Sequence, residues 1–76
     1  MDRKQLNFKM KLMLINKDEY NLYAEDGGRT DERLCLEKVS ENEWHVFYLE
    51  RGNRTTDISF HTEDDACNFF INEFVD

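Results

Sequence analysis

At 76 residues the chain has room for one domain, and a domain of that size buries only about 60% of the surface its unfolded chain exposes, so an enclosed substrate pocket would compete with the core for apolar side chains. Hydrophobic residues at 39%, among them six Phe, three Tyr and one Trp, exclude a disordered composition, while two widely separated cysteines exclude a disulfide framework and a close-spaced zinc site. The formal charge of −7 disfavours nucleic-acid binding and favours basic partners, and no run of 18 apolar residues suggests a membrane span.

Residues 3–16 read as a helix. Leu6, Met10, Met13 and Leu14 fall on one face, and Phe8, Leu12 and Ile15 form a second apolar stripe on another side. A surface helix needs only one such stripe. The second implies either a helix buried on two sides or a face turned to a partner or a second copy of the chain, so the expected state is a monomer or a weak homodimer. Lys9 and Lys11 interrupt Phe8–Ile15, which therefore lacks the continuous apolar centre of a secretory leader.

Tyr20–Glu25 is a short strand candidate, followed by a polar loop through Gly27, Gly28 and Glu32. Arg33–Val39 reads as a second strand, with Leu34 and Leu36 on one face and Cys35 and Val39 on the other. After turn chemistry at Ser40-Glu41-Asn42, residues 43–51 form the strongest strand. Trp44, Val46 and Tyr48 alternate there with His45, Phe47 and Leu49, so both faces carry apolar side chains, as in a central strand. Gly52-Asn53 marks a hairpin turn, and Thr55–Phe60 returns with Thr56, Ile58 and Phe60 pointing one way. Thr62 is an N-cap, with Asp65 three residues on and Glu63, Asp64 and Asp65 at the positive end of the helix dipole. Ala66, Cys67, Phe70, Ile71 and Phe74 then make one apolar stripe. The predicted fold is α+β over residues 1–76: an N-terminal helix, a four-stranded antiparallel meander and a C-terminal helix, with both helices packed on one sheet face.

Catalytic patterns are missing from the sequence. It holds no Gly-x-Ser-x-Gly elbow, and His45 shares its face with Phe47 and Leu49, the setting of a packed or hydrogen-bonded histidine. His61 precedes a helix cap. The Gly27-Gly28 pair opens no helix and is followed by no Lys-Ser/Thr, so it reads as a turn and not as a phosphate loop. No metal or cofactor is implied, and the chain reads as a non-enzyme. Both thiols read as free and buried in a reducing compartment, although a single disulfide between Cys35 and Cys67 is not excluded by spacing.

Charge is unevenly distributed. Residues 1–17 carry Arg3, Lys4, Lys9, Lys11 and Lys17 against Asp2, a net +4, whereas residues 18–76 carry five basic and sixteen acidic residues, a net −11. The basic stretch could touch phosphate, but the overall field opposes it.

The segment from Trp44 through Glu50-Arg51-Gly52-Asn53 to Phe60, then Thr62-Glu63-Asp64-Asp65-Ala66-Cys67 and Phe70, is preceded by Tyr20-Asn21-Leu22, Gly27-Gly28 and Glu32 before a Leu-Cys-Leu-Glu strand. In this order the motifs resemble a family of small bacterial immunity proteins from polymorphic-toxin and contact-dependent growth inhibition loci. That family's pattern is a Tyr-Ser-Leu-x-Gly-Gly segment, a Trp-x-Val-Tyr-Tyr-x-Glu-Arg-Gly strand and a Ser/Thr-Glu-x-x-Ala-Cys helix. The resemblance spans roughly residues 12–74; Ala24-Glu25-Asp26 before the glycines, and the lack of a proline in the next loop, depart from it. It implies a cytoplasmic protein that binds and neutralises a cognate toxin domain, often a nuclease, without turnover. An acidic adaptor, or a nucleic-acid mimic that binds a basic protein, fits the same charge. The shared motif residues read as scaffold, with Trp44 in the core, Arg51 at the hairpin and pairing with an acid such as Glu63. Partner recognition is therefore assigned to the acidic loops: Glu25, Asp26, Asp31 and Glu32, and the turn with Glu41 and Glu43.

Overall fold

The computed structural model describes residues 1–75. Helix α1 spans Arg3–Leu12; a 3-10 turn at Lys17–Glu19 leads into β1, Tyr20–Asn21, and a second 3-10 turn follows at Ala24–Asp26. Strands β2 (Arg33–Ser40), β3 (Glu43–Glu50) and β4 (Asn53–Phe60) precede helix α2 (Glu63–Asn72). The sheet order is β1-β2-β3-β4. The fold is α+β with two helices on a four-stranded sheet, but the sheet is mixed, which corrects the expected all-antiparallel meander.

Only β2, β3 and β4 form the meander, with Leu36 opposite Val46 and Val46 opposite Ile58. Strand β1 lies parallel to β2, pairing Tyr20 with Leu34 and Asn21 with Cys35. A parallel neighbour needs a connection of a dozen or so residues to bring the chain back. Residues 22–32 supply it, and nothing in their composition shows which way they return. The ladder stops at Asn21 because its side chain takes over: Oδ1 accepts from the Tyr23 amide at 3.0 Å, and Nδ2 donates to the carbonyls of Arg29 at 3.1 Å and Gly27 at 3.4 Å. The predicted strand through Glu25 thus becomes two ladder residues and a 3-10 turn.

Helix α1 also ends sooner than expected, at Leu12 and not at residue 16. Its start is fixed by a capping box, in which Asp2 accepts from the Gln5 amide at 2.8 Å and Gln5 accepts from the Asp2 amide at 2.9 Å. Its end is a Schellman motif: Leu14 donates to the Lys11 carbonyl and Ile15 to that of Met10. Leu14 takes the left-handed conformation, with φ at 58°, where glycine is usual. Ile15 folds back over the core as the hydrophobic partner of that motif. Helix α2 begins at Thr62, whose hydroxyl accepts from the Asp65 amide at 3.1 Å.

The core forms where α1 and α2 cover one sheet face. Leu6 and Met10 from α1 and Ala66, Cys67 and Phe70 from α2 meet Leu36, Trp44 and Val46, with Tyr20 and Leu22 closing one side. On the opposite face Cys35 and Phe47 are buried as a cross-strand pair. The Thr30 carbonyl lies 3.6 Å from Cys35 Sγ, and the Arg54 guanidinium lies 3.8 Å from the Phe47 ring centroid. Cys35 and Cys67 are both free and buried on opposite sides of the sheet.

The β3–β4 turn is Arg51-Gly52, one residue earlier than the sequence suggests, with Glu50 paired to Asn53. Both turn residues have positive φ, 51° and 81°, as a type I′ turn requires. Arginine is a poor occupant of that first position. Arg51→Asn should stabilise the fold by about 0.5–1 kcal/mol; an unchanged or lower urea midpoint would contradict this account of the turn.

Candidate functional site

The acids assigned to recognition do not form one patch. Glu25, Asp26, Glu41 and Glu43 lie toward the β2–β3 turn, since the Glu25 carboxylate accepts from the Lys38 amide at 3.0 Å. Asp31 and Glu32 lie at the other end of the sheet, where Asp31 bridges to Leu49 and the Glu32 amide donates to the Leu49 carbonyl. The length of β2 separates the two groups, about 25 Å at the usual strand rise.

Three of the four acids at the first end are held by their own chain. The Arg3 guanidinium is buried; Nη1 donates to Glu25 Oε2 at 2.7 Å and to the Leu22 carbonyl at 3.0 Å. The same guanidinium lies over the rings of Tyr23 and Trp44, at 4.2 and 4.9 Å from their centroids. Glu63 accepts from the Arg3 amide at 2.8 Å and stands 3.9 Å from Nε, so the partner of Glu63 is Arg3 and not Arg51. Partial burial pushes the Glu25 carboxyl up, but hydrogen bonds from the Lys38 amide and from Arg3 outweigh it and hold the pKa below the ordinary value. Glu41 pairs with Lys38 Nζ at 2.9 Å. Glu43 accepts from His45 Nε2 at 2.7 Å, while His45 Nδ1 meets Asp57 at 2.8 Å. Asp26 alone of the four is exposed with no ion-pair partner among the described residues.

The exposed strands carry a connected charge network. Asp57 also accepts from Arg54 at 3.1 Å, and Arg54 reaches Glu37 at 3.4 Å. Carboxylates only accept, so both ring nitrogens of His45 are satisfied together only in the imidazolium form. Hydrogen bonds to Glu43 and then to Asp57 accordingly raise its pKa from 6.5. His45 is thus a hydrogen-bonded residue on the Phe47 face.

At the opposite end Glu32 joins two acids that sequence reading did not select. Glu19, Glu32 and Glu73 rim a groove of about 270 Å³ whose floor is Leu34, Tyr48 and Phe74. These glutamates come from the first 3-10 turn, the loop before β2 and the residue capping α2. No ion pair holds any of them among the described residues. Leu34 and Tyr48 are cross-strand partners on the helix-covered face, left open where the helices end. Their alternation was readable; the meeting of three separate glutamates above them was not. A cation with an apolar stem suits this arrangement, the stem against Tyr48 and Phe74 and the head among the carboxylates.

Other chemistry has less support. Burial pushes the Cys35 thiol up to about 11 and the Cys67 thiol to about 12, so neither is a ready nucleophile. Among the described residues no cluster of His, Cys, Asp and Glu is arranged to hold a metal ion, and no helix is long and apolar enough to cross a membrane. No family model matches the chain, and neither a curated protein nor a solved structure matches it.

Two measurements check these assignments. Glu25→Ala removes the nearest counter-charge of a buried guanidinium and should cost about 1–3 kcal/mol of stability; a urea midpoint equal to the parent's would place Glu25 outside the scaffold. His45 stabilises the fold through its charged form, so that contribution is full below the unfolded value of 6.5 and is lost as pH rises through the raised folded value. His45→Gln should remove this component, and NMR titration should place the His45 pKa above 6.5; a lower value would break the carboxylate clamp.

Proposed function

We propose that the chain is an immunity protein that binds and neutralises a cognate toxin domain, a basic nuclease being the fitting class, in the cytoplasm and without catalysis. The observation that carries this reading is the groove of Glu19, Glu32 and Glu73 over Leu34, Tyr48 and Phe74, a set of uncommitted acids around apolar surface. A lysine or arginine of the toxin would enter it, with Asp31 beside it as a further acid. Asp26 forms a second, outlying contact, and Glu41 reaches a partner only by giving up Lys38. Glu25 and Glu43 belong to this reading only indirectly, because their carboxylates fix the loop and His45. The net −7 of the chain would steer a basic partner and speed encounter, more so at low salt. The resemblance to immunity proteins supports the kind of partner. An adaptor or nucleic-acid mimic would use the same groove on a different basic protein.

Cells that express the product of the neighbouring gene as the toxin should regain growth when this chain is coexpressed, and the purified pair should form a complex. Glu32→Lys with Glu73→Lys should weaken that complex by about a hundredfold or more, as expected when buried charge pairs are reversed. Neither rescue nor complex would overturn the immunity reading; a complex indifferent to the reversals would move recognition away from the groove.

A further inference from the structure

The outward face of α1 has no part in that reading, and it groups large exposed apolar side chains. Phe8 and Leu12 are 63% and 67% exposed one helical turn apart, and Leu14 beyond the helix end is 89% exposed. Lys4, Lys9 and Lys11 are exposed along the same helix, and Met1, Lys4, Gln5, Phe8 and Lys9 line an open groove of about 490 Å³. The helix already anchors itself through Leu6 and Met10, so Phe8 and Leu12 contribute nothing to the core. Large apolar side chains grouped on one exposed face mark a docking surface.

We propose that this face docks on a second copy of the chain, each α1 seated against the acid-rimmed groove of the other protomer. Two α1 faces placed directly together would oppose lysine to lysine. The surface that complements a cationic apolar ridge is an anionic rim around an apolar floor, and Glu19, Glu32 and Glu73 around Leu34, Tyr48 and Phe74 provide it on the same chain. Lysine stems would lie along the rim with their ammonium groups on the carboxylates, while Phe8 and Leu12 cover Tyr48 and Phe74.

Of the α1 face, it is the C-terminal end that leads toward the groove. The C-terminal end of α1 passes through Ile15, which packs on the core, directly into the 3-10 turn that carries Glu19. Two complementary patches on one chain can be exchanged around a two-fold axis, making the same contact twice and closing the assembly at a dimer. A standard interface takes about 800 Å² from each partner, roughly a sixth of this chain's 5049 Å². The dimer would cover the groove assigned above to the toxin, so the two occupants compete for it, but the test of the dimer needs only this chain and is read without a toxin.

Sedimentation equilibrium of the full chain over a range of concentrations tests it. The parent should dimerise at low salt and shift toward monomer as salt rises. Phe8→Ser with Leu12→Ser should raise the dimer dissociation constant about tenfold or more while leaving the thermal midpoint of folding in place, because both side chains are exposed. Lys4→Glu with Lys11→Glu should be monomeric, as should Glu32→Lys with Glu73→Lys. An equal mixture of these two charge-reversed chains should recover a mixed dimer, since each acidic helix then meets a basic groove and the reverse. A parent that stays monomeric to millimolar concentration overturns the proposal. So does a dimer indifferent to these substitutions, a mixture that recovers nothing, or a helix face that partitions onto anionic vesicles without self-association.

Discussion

The fold turns on a single buried cation. Placing a guanidinium away from water costs several kcal/mol unless its donors are met. Arg3 meets them with the Leu22 carbonyl, Glu25 and Glu63, and it lies against the faces of Tyr23 and Trp44. Those partners come from the loop after β1, from β3 and from the first turn of α2. One side chain near the start of α1 therefore fixes where the crossover loop turns, how Trp44 sits and where α2 begins. Glu63 serves twice, answering Arg3 while placing negative charge at the positive end of α2.

This hub explains why the sequence was readable in some places and opaque in others. The β2–β3–β4 meander and α2 were legible because their signals are local: period-two alternation in Trp44–Leu49, a turn at Gly52, a Thr62 cap before an apolar stripe. The direction of β1 was not, because it depends on a return path set by Asn21 side-chain bonds and by Glu25 reaching Arg3 and Lys38, contacts between residues far apart in the chain. The end of α1 was hidden for a different reason. Its Schellman motif places Leu14 where glycine would have announced a stop, and the periodic apolar residues run on past it.

The charges follow the same division. Sequence gives the sum and the order of acids, and from these an acidic body with a basic first helix could be read directly. It does not say which acids are already answered. Glu25, Glu41 and Glu43 looked like open loop carboxylates, yet Arg3, Lys38 and His45 hold them. Glu19 and Glu73 looked incidental, and they share a rim with Glu32 only because a 3-10 turn, a loop and the end of α2 arrive at one corner. The basic helix changes in the same way: Arg3 is withdrawn into the interior, and the lysines remain as its outer charge.

A domain with so thin a core has little interior in which to build a site, so its distinguishing chemistry lies in what the fold leaves unanswered. Charges consumed by the scaffold cannot also recognise a partner without loosening it, because each would have to exchange an intramolecular hydrogen bond for an intermolecular one. Uncommitted groups carry no such penalty. Among such groups, the glutamate groove at one corner and the lysine-flanked face of α1 leading toward it join charge to exposed apolar surface. Their opposite charge and shared apolar character set them apart from the acidic surface as a whole, whose sign favours basic partners without selecting among them.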